Sequence, residues 1–371
     1  MKKIGLIGGG LAGLVSAILL ARKGFEVTLF EEKKYPFHRV CGEYVSNEVI
    51  PFLKRHDLFP DALNPFSITH FQLTSPYGQL LEMPLDLGGF GVSRFALDLW
   101  LSQRATEAGV QIIHDRVISS GYVDDVFHLE TRNQGKFLTN YVIGAFGKRS
   151  TLDKILNRPY INKRSPYIGV KYHLKTEVAN ERSIALHNFL GGYCGISRIE
   201  DEKYNLCYLS SRSNLKRYGS VSVMEEEVLY RNPHLQKIFT NSDFLFEKPE
   251  VINEISFSPK EPVYDHILMT GDAAGMITPL CGNGMAMAIH SAKLLSEIIH
   301  RNTINNGSRA ALEADYSKVW NDHFAKRLWA GRQIQNLFGS TFLSDAAVGF
   351  GKRVPAFTRK LMAMTHGAPF N

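Results

Sequence analysis

The sequence predicts an α/β fold in which a parallel, nucleotide-binding sheet is interleaved with an antiparallel sheet and followed by a helical carboxy-terminal segment. Three observations carry this expectation. A strand, turn, helix, strand unit opens the chain with glycines at Gly8, Gly10 and Gly13. A second strand runs into Gly271-Asp272 in the last third, and short aromatic and β-branched runs fill much of the interval.

Residues 3–7 read as a buried strand, 11–23 as an amphipathic helix and 27–31 as a second strand. Gly8, Gly10 and Gly13 fill the G-x-G-x-x-G spacing of a Rossmann-like unit. The first allows the tight turn, the second lets backbone approach a diphosphate, and the third lets helix pack closely on strand. The diphosphate then sits at Leu11 and Ala12, where unpaired N–H groups and the helix dipole favour negative charge. Glu31, with Glu32 beside it, ends the second strand where an acid binds ribose hydroxyls. Met1-Lys2-Lys3 and the uncharged stretch 4–21 imitate a signal peptide or short anchor, but the glycines and the alternating strand that follows fit a nucleotide fold better.

Next come a helix over 93–108, a strand over 110–114, alternating runs at 117–122, 126–131 and 136–138, and a buried strand over 141–145. The three runs read as an antiparallel meander crossing the parallel sheet. Residues 61–90 and 159–262 are expected to form one substrate domain built on a second sheet. Residues 1–60, 91–158 and 263–305 make the discontinuous nucleotide domain, and 306–371 the helical end. Helices are expected over 285–300, 310–338 and 355–364, with a linker over 302–308.

At 371 residues and 44% hydrophobic composition, the chain can bury substantial cores in two interleaved domains. Cys41, Cys194, Cys207 and Cys281 show no C-x-x-C spacing, which points to a reduced, cytoplasmic setting, and no zinc pattern is present. The net charge of +7 comes from scattered residues without a nucleic-acid motif, so no nucleic-acid partner is expected.

In the second segment, a strand over 267–270 delivers Gly271 and Asp272 to its end, where the carboxylate can accept hydrogen bonds from a polyol chain. Pro279, Gly282, Asn283, Gly284 and Met285 follow at the start of a helix whose N–H groups favour the negative charge of a reduced flavin. A diphosphate site at one end and an acid-liganded sugar-like chain at the other describe FAD.

With these motifs the chain resembles the flavoprotein superfamily that contains para-hydroxybenzoate hydroxylase and, more closely, the geranylgeranyl reductases. The likeness spans nearly the whole length. It rests on the first motif, on Ser93-Arg94 through Asp98, on Gly271 through Gly284, and on Arg39-Val40-Cys41-Gly42-Glu43, which matches a Cys-Gly pair of the reductase branch. The resemblance implies a glutathione reductase-type FAD-binding domain with a β-meander. It implies that Arg39 and Arg94 contact FAD, that Val117 lies near the adenine, and that Cys41 and Gly42 border the isoalloxazine, with Cys41 as candidate proton donor.

Two departures shape the functional expectation. Phe146 stands where many flavin hydroxylases carry the Asp of an Asp-Gly motif that organises NADPH. The electron donor is therefore left open between a differently docked NAD(P)H, a ferredoxin and a separate reductase. Gly191-Gly192-Tyr193-Cys194-Gly195-Ile196 keeps only the Tyr of the reductases' Tyr-x-Trp-x-Phe-Pro motif, which leaves Tyr193 as candidate substrate contact. Trp100, Trp320 and Trp329 lie outside any Trp-x-Trp-x-Ile-Pro motif, which speaks against halogenation. The Cys-Gly pair and Phe146 favour a double-bond reductase or dehydrogenase over an aromatic monooxygenase. A non-catalytic flavin-binding redox module is the reading from another class. Aromatic residues of the second sheet suit a hydrophobic isoprenoid, lipid-like or phenolic substrate. The basic and apolar mixture over 351–362 suits either weak contact with an anionic membrane surface or a helix capping the domain.

Overall fold

The computed structural model describes residues 1–371 except 163–164, 338–340, 355–357 and 360–362, and the side chains of residues 254, 281, 336–337, 341–343 and 347 are likewise outside the description. The parallel sheet runs Val263–Tyr264, Ile267–Met269, Tyr141–Gly144, Lys3–Ile7, Glu26–Phe30, Gln111–Ile113, with only the edge strand Val263–Tyr264 antiparallel to its neighbour. Its central strands are covered on both faces and read as continuous apolar runs, as Tyr141–Gly144 does with every residue buried. The helix Leu11–Arg22 is buried at each residue from Leu11 to Leu20. The amphipathic helix expected here is therefore a helix buried on every side, because the sheet, Arg94–Glu107 and Gly284–Ile304 enclose it.

Val117–Val123, Val126–Thr131 and Gly135–Thr139 form the expected antiparallel meander. It lies close on the parallel sheet: a β-carbon on Gly5 would stand 2.7 Å from Leu129 Cδ1. Only a glycine inside that strand lets the two layers meet.

The second sheet has nine strands, in the order Asp243–Phe244, Tyr167–Lys175, Tyr204–Ser211, Gly192–Arg198, Ser183–Phe189, Phe66–Thr74, Leu80–Gly91, Tyr44–Ser46, with Glu250–Ile255 also on Tyr167–Lys175. Parallel pairing of Ser183–Phe189 with Phe66–Thr74 joins the two separate pieces of sequence into one sheet. Tyr44–Ser46, assigned by sequence to the nucleotide segment, pairs instead with Leu80–Gly91 of this sheet. One face is covered by Arg212–Tyr218, Val221–Val228 and Pro233–Asn241, three helices the sequence reading did not anticipate. The other face looks toward the nucleotide domain.

Gly284–Ile304 and Arg309–Leu337 appear as expected, each within a few residues of its predicted bounds. Thr341–Arg353 is a further helix. The helix expected over 355–364 falls largely on residues outside the description, as does half of the basic and apolar stretch over 351–362 that bears on membrane contact. Among the described residues no helix is long and apolar enough to cross a membrane.

Candidate active site

Gly8 takes φ +106°, and a β-carbon there would meet the Ala145 carbonyl oxygen at 2.5 Å. One on Gly13 would stand 1.9 Å from the Gly8 carbonyl oxygen, so only glycine lets the helix start against the strand end. Gly10 caps the helix without a side chain, and the first N–H groups after it have no acceptor within the helix. Gly8, Gly10, Leu11 and Ala12 line a cavity there, while Gly13 acts from behind as a packing residue.

Glu31 lines the same cavity and also organises it. Its carboxylate accepts the N–H of Gly9 at 3.0 Å, the N–H of Lys33 at 3.1 Å and Arg39 Nη2 at 3.0 Å. Tyr35 Oη donates to the Gly9 carbonyl at 2.7 Å, and burial together with the Glu31 charge raises its pKa. Glu32 pairs with Arg116 at 2.6 Å beside Val117, and all three line the cavity.

The second segment closes on the first. Thr270 donates its N–H to the Gly144 carbonyl, Gly271 donates its own to Ser291 Oγ at 3.1 Å, and Asp272 lines the cavity. Two cations that sequence reasoning missed hold this loop. Arg158, wholly buried, pairs with Asp153 at 3.1 Å and donates to the carbonyls of Ala273 at 2.9 Å and Glu261 at 3.0 Å. Lys260 Nζ bridges the carbonyls of Lys148 at 2.8 Å and Asp272 at 2.7 Å, and burial, opposed by the Asp272 charge, lowers its pKa to about 8. Pro279, Gly282, Gly284 and Met285 line the cavity as well. The Asn283 side chain turns away, donating to the Thr365 carbonyl at 2.9 Å and toward Glu48 at 3.4 Å.

Arg39, Cys41, Gly42 and Arg94 stand on the cavity between these segments. Arg94 is largely buried and grips Asp98 with both Nε, at 2.6 Å, and Nη2, at 2.7 Å, while Arg39 Nε reaches the same carboxylate at 3.0 Å. Burial weakens the Arg94 charge, but the Asp98 carboxylate overrides it and raises the pKa. Behind Gly42, Glu43 is wholly buried and bonds Lys171 and His173. Burial pushes its pKa up, yet Lys171 and His173 together hold it below the usual carboxylate range. No motif announced this cluster, because its members come from separate elements. His38, stacked on Phe95 at 4.6 Å, is depressed to about 4 by burial and then by Lys171, so it is neutral near pH 7.

The cavity, about 940 Å³, continues from these polar groups to an apolar chamber on the face of the second sheet. Leu73, Leu186, Leu209, Ile255, Met276 and Leu280 line it together with Tyr193. Among the aromatic residues of this part of the chain, Phe71 and Tyr193 reach the chamber, whereas Tyr172 and Phe189 pack in the opposite core and Tyr77 is exposed. Phe146 also lines the cavity, beside Gly144 and Met269. Cys207 borders it, its thiol pushed up to about 12 by burial. The Cys281 side chain lies outside the description. Among the described residues no cluster of His, Cys, Asp and Glu is arranged to hold a metal ion.

The donor set fits FAD: a glycine cradle with free helix N–H groups at one end, Asp272 farther along, and a chamber for an organic substrate beyond the ring end. A family model for the NAD(P)-binding Rossmann-like domain matches residues 6–72. The chain is 24% identical to geranylgeranyl diphosphate reductase of Synechocystis sp., over 91% of this chain and 86% of that one. It is 25% identical to digeranylgeranylglycerophospholipid reductase of Methanosarcina acetivorans, over 90% and 84%. Among solved structures it resembles a geranylgeranyl bacteriochlorophyll reductase-like protein of Thermoplasma acidophilum, with TM-score 0.79, 17% identity and coverage of 98% and 96%. The flavin-dependent brominase Bmp2 has the same fold, with TM-score 0.81, 15% identity and coverage of 100% and 94%. Sequence similarity along nine-tenths of the chain, joined to this fold and cavity, is to FAD-dependent oxidoreductases such as the geranylgeranyl reductases, and it supports an FAD-dependent oxidoreductase.

Proposed function

We propose that the protein is a flavin-dependent reductase that saturates carbon–carbon double bonds in an apolar, isoprenoid or lipid-like chain. The observation that carries this reading is the continuity of the cavity from Gly10 and Asp272 to the chamber of Leu186, Leu209 and Leu280. The names of the two relatives, both reductases of geranylgeranyl compounds, support the substrate class.

Bound and reduced FAD supplies hydride chemistry. The chain's own residues do the rest. Gly8, Gly10, Leu11 and Ala12 hold the diphosphate with backbone N–H groups, Glu31 and Glu32 take ribose hydroxyls, and Asp272 takes the ribityl chain. Arg39, Arg94 and Val117 complete the adenylate side, and Gly282, Gly284 and Met285 the ring side. The apolar chamber excludes water and aligns the chain of the substrate. Cys41, on the cavity wall, is our candidate for the proton that saturation requires.

Reconstitution with FAD, anaerobic reduction by dithionite and challenge with polyprenyl and phenolic compounds tests the reading. A product that has gained two hydrogens per double bond, formed without oxygen, is the expected result. A hydroxylated product formed only in air would replace reduction by monooxygenation, and reoxidation by neither compound class would leave a flavin-binding redox module. Varying the reductant between NADPH, NADH and reduced ferredoxin identifies the donor.

A further inference from the structure

The turn Val40-Cys41-Gly42-Glu43 is fastened from several elements. Lys148 Nζ donates to the Val40 carbonyl at 3.0 Å, and Asn205 Nδ2 donates to the Cys41 carbonyl at 3.1 Å. One carboxylate oxygen of Glu43 accepts Lys171 Nζ at 2.5 Å and the Arg94 N–H at 2.7 Å, and the other lies 2.6 Å from His173 Nε2. The Glu43 carbonyl takes the Val92 N–H at 3.2 Å. The carbonyls of Val40, Cys41 and Glu43 are thus tied to protein. The N–H groups of Cys41 and Gly42, by contrast, have no acceptor among the described residues, and both residues line the cavity.

Stability does not explain this arrangement. The Glu43 and Lys171 side chains are both wholly buried, and a buried ion pair is often no more stable than apolar residues of the same volume. Glu43 also takes φ +52°, a left-handed conformation that is unfavourable for a residue with a β-carbon. Two unfavourable features on the residue next to Cys41-Gly42 mark a place where geometry is held for function.

We propose that Glu43 is a positioning residue: clamped by Lys171 and His173 of the second sheet, it fixes the Cys41-Gly42 turn so that two backbone N–H groups face the ring end of the bound flavin. The proposal rests on the flavin reading. It makes the second sheet, which forms the chamber, also the support of the ring-side wall of the cofactor site.

The test compares Glu43→Gln, Lys171→Met and the double variant E43Q/K171M with wild type. It reads FAD affinity by fluorescence titration, the flavin visible spectrum, alkylation of Cys41 by iodoacetamide with and without FAD, and thermal stability. Each single variant is expected to lower the melting temperature by stranding a charge, and the double variant to recover most of that loss. Despite this recovery the double variant binds FAD roughly ten-fold more weakly, with a shifted flavin band and poorer protection of Cys41. A double variant with wild-type FAD affinity, spectrum and Cys41 protection would make the pair merely structural and overturn the proposal. If the single variants do not fold, the double variant and His173→Gln carry the same comparison. Wild-type protein that takes up no FAD overturns the flavin reading itself.

Discussion

Gly271 lies against Ala12: a β-carbon built on Gly271 would stand 2.9 Å from Ala12 Cβ. The two glycine-rich segments, from opposite ends of the chain, therefore share one wall of the cavity. Gly271 also holds φ +60°, so alanine there adds both a clash and backbone strain. Gly271→Ala is expected to lose about 1–3 kcal/mol of stability and to reduce flavin content. Gly109→Ala is the control: Gly109 has φ +87° but open space around its β-carbon position, so only the strain remains and flavin content stays at wild type. Chemical unfolding and flavin absorbance per chain measure both. Equal flavin loss in the two variants would remove the shared-wall argument.

Arg158 fixes the Asp272 loop from behind. Arg158→Met leaves Asp153 buried without its cation and strips a donor from the Ala273 and Glu261 carbonyls. A loss of about 3–5 kcal/mol is expected. Weaker FAD binding, by roughly ten-fold, should accompany it, because the loop carrying Asp272 is no longer held. Unchanged FAD affinity in a destabilised variant would confine Arg158 to a structural role.

Acid should weaken the fold through its buried histidines. His187 and His290 are both buried, and burial first, then nearby His234 for the former and Arg327 for the latter, depresses each to about 3. Their ordinary value is 6.5, so between pH 6.5 and about 3 these two sites hold more protons in the unfolded chain than in the folded one, a difference that Glu225, raised to about 7 by burial, offsets only in part. Stability therefore falls as pH drops through that window, by up to about 1.4 kcal/mol per unit for each histidine. Glu43, held below its ordinary value, adds its own loss only at lower pH. Urea midpoints at pH 7, 6 and 5 check the slope, and a flat profile would contradict it.

Filling the chamber should separate substrate from cofactor. Leu186 is buried on the chamber wall, and Leu186→Trp inserts an indole there while leaving the glycine cradle untouched. FAD affinity should remain near wild type, and KM for an apolar chain should rise by roughly ten-fold or more, equivalent to over 1.4 kcal/mol of lost binding. Loss of FAD together with activity would show that the two lobes are not independent.

Much of this architecture was legible because its signals are local. The strand, turn, helix unit follows from glycine spacing and apolar runs that lie within a few residues of one another. The meander and the Gly271-Asp272 loop follow in the same way. The helices Arg212–Tyr218, Val221–Val228 and Pro233–Asn241 were not legible, because short aromatic and β-branched runs around them dominate the local pattern. The strand Tyr44–Ser46 and its pairing with Leu80–Gly91 were not anticipated, since three residues carry too little periodicity to name a partner. Arg158, Lys171 and Lys260 give no motif, and a cation in a sequence reads as surface until its acceptors are known.

By itself, the sequence determined the glycine-spaced helix starts, the acid beside each of them and the likeness to flavin reductases, because those properties are written in backbone conformations and helix starts encoded by neighbouring residues. Only the tertiary structure decided that Ala12 touches Gly271, that Glu43 is gripped by Lys171 and His173, and that the polar cavity opens into an apolar chamber. Those are contacts between distant segments, and their energies arise from burial and charge pairing that exist only once the two sheets have closed on one another.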